Sequence, residues 1–153
     1  MATPEELLAE LGLQLPAPFP PAADYVACRQ HGDLLYVSGH GPMRDGKAVY
    51  TGKVGDGVDI ETGAAAAELT MLNCLASMKA SVGELSRVTG FVRLSVFVNA
   101  TPDFDRHFLV ADGASKLLTR LFGPDAAHAR YAVGMSSLPM NITTEVEAIA
   151  VLG

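Results

Sequence analysis

Basic charge is scarce in this chain: eleven Lys and Arg stand against seventeen Asp and Glu, a formal net charge of −6 over 153 residues. The eleven are scattered, so no phosphate-neutralising patch is available and nucleic acid is a poor partner. Cysteine is scarcer still. Cys28 and Cys74 lie far apart, with no C-x-x-C and no Cys/His ligand spacing, which excludes a disulfide scaffold or a zinc site and fits a reducing cytosol. His31, His40, His107 and His128 have no ligand-type neighbours at metal-binding spacing beyond the loose pair Asp103 and His107, so no metal is expected. No apolar run approaches the roughly 18 residues that cross a bilayer, and the first residues lack the basic and apolar regions of a signal peptide. The expectation is a soluble, cytoplasmic protein with no membrane partner. Absent too are a G-x-G-x-x-G turn after a strand, a G-x-S-x-G elbow and any internal repeat, and no cofactor is expected.

What the chain has is apolar material: 49% of its residues are hydrophobic and only 18% charged, more than one core needs. A charge-poor protein of one-domain size buries such a surplus against copies of itself, so a homo-oligomer is expected.

Thr3-Pro4-Glu5-Glu6 is a capping box with proline at the first helical position, opening a short amphipathic helix that Gly12 ends. Leu15 to Pro21 carries four prolines and predicts an extended strap over the surface. Asp24–Gln30 and Leu34–Ser38 read as a hairpin around His31-Gly32-Asp33, and Ser38-Gly39-His40-Gly41-Pro42 reads as a break where backbone can approach a ligand. From Glu61 to Val82 a helical stripe of Ala64, Ala67, Met71, Leu75, Met78 and Val82 opposes Thr70, Asn73, Ser77 and Ser81. Arg87 to Ala100 alternates as a strand, with Val92, Leu94, Val96 and Val98 on its dry face. A second long helix is predicted from Thr101-Pro102 to Gly123-Pro124, with Phe104 and Phe108 on its apolar face and a kink at Asp112-Gly113. Arg130–Met135 and Thr144–Leu152 complete a β-β-α-β-α-β-β order, a single α+β domain whose helices cover one sheet face. The division is residues 1–23, helix and proline-rich arm, and 24–153, the domain.

Two strands carry ionisable groups. Arg130 shares a face with Ala132 and Gly134, small neighbours that leave room above the guanidinium, and Glu145 and Glu147 share a face with Ile149 and Val151. An Arg beside small residues and a strand Glu can bind a carboxylate and handle a proton; the competing reading is an edge-strand ion pair.

These residues resemble the Rid family, the reactive intermediate deaminases also called YjgF. The resemblance spans Tyr25 to Leu152 and rests on Tyr25 thirteen residues before Ser38-Gly39, on Ala129-Arg130-x-x-Val133, on Leu138-Pro139 and on Glu145-Val146-Glu147-Ala148-Ile149-Ala150. It implies a chorismate-mutase-like fold with a mixed sheet and two helices on one face. It also implies a homotrimer with a pocket at each subunit interface. The implied activity is hydrolysis of 2-imino or enamine acids, such as 2-aminoacrylate and 2-iminobutanoate, to 2-keto acids and ammonia. Arg130 would fork the substrate carboxylate, Glu145 would orient or activate water, and Tyr25 would enclose the imine. Ser38, Gly39, His40, Phe108 and Ala132 would line the pocket. His40 stands where family members carry Gln, Phe108 near a pocket Asn, and Ala132 in place of a Cys; these departures and the arm resemble a divergent, endoribonuclease-like or translation-inhibitor-like branch. A non-catalytic trimer that binds a small carboxylate or a regulatory partner is the alternative, and RNA cleavage is disfavoured by the acidic charge.

Overall fold

The computed structural model describes all 153 residues. Helix α1 (Pro4–Glu10) carries the capping box: Thr3 Oγ1 accepts from the Glu6 amide while Glu6 reaches back to the Thr3 amide at 2.7 Å. The Glu5 carboxylate fastens α1 to the body, accepting from Lys79 Nζ at 3.0 Å and from the Leu85 amide at 2.8 Å.

The strands of the main sheet are β1 (Cys28–His31), β2 (Leu34–His40), β7 (Val88–Asn99), β8 (Ala129–Met135) and β9 (Thr144–Leu152), in the spatial order β1-β2-β9-β7-β8. Two-residue ladders join β3 (Met43–Arg44) to β4 (Lys47–Ala48), and β5 (Lys53–Val54) to β6 (Gly57–Val58). Strand β9 is antiparallel to both β2 and β7, whereas β8 runs parallel to β7. Parallel neighbours need a crossover, and α3 (His107–Phe122) supplies it; α2 (Ile60–Val82) makes the longer crossover from β2 to β7. The β-β-α-β-α-β-β order of the main elements and the mixed α+β sheet are therefore as the sequence predicts.

Leu35, Val37, Leu94, Val96, Val146, Ala148 and Ala150 point to one face and meet Met71, Leu75, Val110, Leu117 and Leu118 of the helices in a single core of 29 buried residues. The opposite face has no helix, and Tyr36, Val92, Tyr131 and Val133 are exposed on it.

Several local expectations are corrected. Strand β1 begins at Cys28, not Asp24, because residues 22–25 bend along the arm. Strand β2 runs on through Ser38-Gly39 to His40, with a bulge absorbing the two residues between Val37 and His40. A second bulge between Phe91 and Arg93 turns Val92 outward and Phe91 into the core, where its ring meets Phe122 edge-on at 5.2 Å. Helix α3 starts at His107, six residues after Thr101. Phe104 lies before it, and Phe108, 53% exposed, is on its solvent side. The helix runs through Asp112-Gly113 without interruption, because that glycine serves helix packing. Thr70, Asn73 and Ser77 of α2 are buried, not solvent-facing, since Thr144, Met43 and His40 supply their hydrogen-bond partners.

Candidate active site

The bulge at Ser38-Gly39 bends β2 beside β9 and opens a cavity of about 200 Å³. Glu145 of β9 forms one wall with Gly39 and His40. Pro139, Met140 and Ile142, in the turn before β9, form a second. The arm supplies a third with Phe19, Pro20, Pro21 and Tyr25. No Lys or Arg lines the cavity.

Glu145 has the chemistry of a proton carrier. Its carboxyl makes no hydrogen bond or ion pair within the chain, and burial, helped by the nearby Glu147 charge, raises its proton affinity above the ordinary carboxylate range. Gly39 is what lets it sit there: a Cβ at this position would collide with Glu145 Oε1.

His40 lines the cavity but has no free nitrogen. Its Nδ1–H donates to the Ser38 carbonyl at 2.5 Å and its Nε2 accepts from Ser77 Oγ at 2.7 Å, a neutral ring that ties the bulge to α2. Burial holds its pKa below the ordinary 6.5. The unfolded chain therefore binds the proton more readily, and stability from this residue is lost as pH falls through 6.5. In urea denaturation, wild type is expected to lose more unfolding free energy than His40→Gln between pH 7.5 and pH 5.5, because only wild type carries this imidazole. An equal loss in wild type and variant would count against the assignment.

Ser38 does not reach the cavity. Its Oγ–H donates to the Val26 carbonyl at 2.7 Å, and its amide donates to Ala27, so it pins the end of the arm. Asn73, at the cavity's edge, donates to the Met43 and Leu69 carbonyls; its Oδ1 has no partner and is fully covered, so it faces away from the open space. Burial pushes the Cys28 thiol up to about 11 and Cys74 higher, leaving neither a nucleophile near neutrality.

Arg130, Ala132 and Phe108 are elsewhere. In the sheet register Arg130 pairs with Leu94 and Ala132 with Val96, both on the helix-covered face, whereas Glu145 pairs with Phe97 on the open face. One chain thus brings together Tyr25, Gly39, His40 and Glu145, and separates them from Arg130, Ala132 and Phe108. Arg130 Nη1 donates to Asp112 Oδ1 and Ser115 Oγ, each at 3.0 Å, and Nη2 donates to the Phe108 carbonyl at 3.3 Å. These contacts orient the guanidinium with three of its five N–H groups. They leave Nε–H and one Nη2–H without a partner in the chain.

Of the arm wall the sequence marks Tyr25 alone; Phe19, Pro20 and Pro21, and Met140 in the facing wall, are not legible there as site residues, since the prolines read only as a packing strap. Phe19 embedded among them was the available signal. Met140 is 61% exposed and holds φ 55°, left-handed backbone that a non-glycine residue adopts at a cost of about 1–3 kcal/mol. Asn99 sustains the turn, its Nδ2 donating to Asn141 Oδ1 at 3.0 Å and to the Ile142 carbonyl at 3.1 Å.

Residues 5–152 match the family described as "YjgF/chorismate mutase-like, putative endoribonuclease". Protein TCP17 of Trypanosoma cruzi is 40% identical over 146 residues, 95% of this chain and 91% of that protein. Among solved structures, Atu1372 of Agrobacterium tumefaciens, a protein of unknown function, is 43% identical with a TM-score of 0.92, over 98% of this chain and 92% of that one. A Shewanella oneidensis structure described as a putative endoribonuclease is 34% identical with a TM-score of 0.95, over 99% of this chain and all of its own.

Proposed function

Because the chain belongs to the YjgF/chorismate-mutase-like family, we propose that it hydrolyses 2-imino acids to 2-keto acids and ammonia at a site shared between two copies. The observation that carries this reading is Glu145, a carboxyl of raised proton affinity with no partner, in a largely apolar cavity that contains no cation. Such a cavity cannot by itself neutralise a substrate carboxylate. The two N–H groups of Arg130 that have no partner in the chain can bind it, and they lie on the other face of the sheet, so the arginine comes from a second copy.

The apolar residues of the open sheet face, Tyr36, Val92, Tyr131 and Val133, supply the surface through which copies meet, and three copies close the ring that the family resemblance implies. In the assembled site Arg130 fixes the carboxylate and so the imine carbon. The water oxygen bonds to that carbon as Glu145 takes one water proton and passes it to the imine nitrogen, giving a carbinolamine. Glu145 then takes the hydroxyl proton as the C=O bond forms and delivers it to the nitrogen as the C–N bond breaks and ammonia leaves. A carboxyl of raised proton affinity is a stronger base than an ordinary carboxylate and returns the proton it takes, and no covalent enzyme intermediate is needed. RNA suits this cavity poorly, since phosphate would meet a carboxyl and no cation.

Complementation tests the shared site. Arg130→Ala and Glu145→Gln are each expected to be inactive on 2-iminobutanoate generated in situ. Mixing them under subunit exchange is expected to restore activity, since about a quarter of random pairings join an intact arginine to an intact glutamate. Exchange without recovered activity, or recovery of none from a wild type that accelerates no imine, overturns the reading.

A further inference from the structure

We propose that the arm makes this site selective for 2-imino acids with a branched aliphatic or phenyl-sized apolar side chain, an inference that rests on the deaminase reading. The argument starts from the wall. Phe19, Pro20, Pro21, Ala22, Tyr25 and Ala27 supply six of the fifteen residues around the cavity, so arm residues enclose much of the space beside Glu145.

That wall is set before any ligand arrives. Pro16 is buried, Leu13 and Leu15 pack against the core, and Ser38 holds the far end of the segment through Val26 and Ala27. Prolines at 16, 18, 20 and 21 fix their own φ, so little freedom is lost on binding. Facing the arm, Met140 is held at φ 55° with its side chain at the edge of the same cavity, and a thioether adapts to irregular apolar shapes.

The polar inventory points the same way. Both His40 nitrogens are engaged and the Asn73 oxygen faces away, leaving Glu145 and Tyr25 as the polar side chains that this copy's cavity lining offers beside the arginine that holds the carboxylate. An acidic side chain would meet Glu145 without a counter-charge. A methyl side chain would leave most of the cavity unfilled. An apolar cavity of roughly 150 Å³ accepts benzene, so about 200 Å³ admits an isobutyl, thioether or benzyl group.

The test measures keto-acid release above the spontaneous rate from imines made in situ by amino-acid oxidases acting on leucine, phenylalanine, alanine and glutamate. The leucine and phenylalanine imines are expected to be favoured over the alanine imine by about tenfold or more in kcat/KM, in line with the discrimination that several buried methylenes provide. Phe19→Ala and Met140→Ala are each expected to bring that ratio towards parity. Preference for the alanine or glutamate imine, or a Phe19→Ala variant that slows all imines equally, overturns the selectivity and leaves the deaminase reading standing.

If no imine is accelerated, the deaminase reading fails, and calorimetry with 4-methyl-2-oxopentanoate, pyruvate and 2-oxoglutarate decides the wall separately. Tighter binding of the branched keto acid, lost in Phe19→Ala, supports it. Equal binding, or none, overturns it.

Discussion

Glu145→Gln is expected to abolish imine hydrolysis and, at the same time, to make the protein more stable at neutral pH. Glutamine keeps the shape of the side chain but cannot exchange a proton, so the rate is expected to fall about 10²–10⁴-fold, the usual contribution of general acid–base catalysis. The stability effect follows from the same burial. The folded state holds the Glu145 proton more tightly than the unfolded chain does, so stability is lost as pH rises past the carboxyl's ordinary value of 4.5. Removing the ionisable group removes that loss. Thermal unfolding at pH 7 is expected to show the variant melting above wild type, with the gap closing below pH 4.5. Together the two results identify a group whose charge is kept for function against the interest of the fold. A variant that retains wild-type turnover, or that melts lower at pH 7, counts against this assignment.

Gly113→Ala is expected to cost more stability than an ordinary helix substitution, although alanine is the better helix former by about 1 kcal/mol. At Gly113, α3 crosses α2 so closely that a Cβ would collide with the carbonyl oxygen of Ala64. Gly63 lies near the same crossing, where a Cβ would stand 3.1 Å from Val110. A flexible side chain can swing aside; a helix carbonyl can move only with its helix. The two helices would have to separate above a core in which Val110, Ala111, Ala114 and Leu117 are completely buried. Overpacking of this kind is expected to cost roughly 3–5 kcal/mol, the upper range for single substitutions. Urea denaturation is expected to show a lower midpoint with an unchanged slope. A midpoint equal to or above wild type would mean that the crossing yields and that helix propensity prevails.

The positions of these effects were unequally visible in the sequence. The run Glu145-Val146-Glu147-Ala148-Ile149-Ala150 alternates with period two, which places Glu145 on the face opposite Val146 and Ala148, as the structure has it. Gly113 read as a kink, because a glycine inside a helix is locally a weak point. Its real role, admitting the carbonyl of Ala64, is fixed by a residue 49 positions away. Val92 was misplaced for a related reason: alternation holds only while the register holds, and the bulge at Phe91/Arg93 shifts it by one. Phe104 and Phe108 have helical spacing, yet α3 begins after the first and turns the second outward.

Local chemistry by itself determined the capping box, the two long helices, the order of elements along the chain and which neighbours share a strand face with Arg130 and with Glu145, because those depend on spacing along the chain. The tertiary structure alone decided that the proline strap and a strained turn at Met140 close around Glu145, that His40 spends both nitrogens on Ser38 and Ser77, and that Arg130 lies across the sheet from the cavity. Those are relations between segments far apart in sequence. No periodicity encodes them, since they depend on how strands order in a sheet and on which face the arm comes to rest.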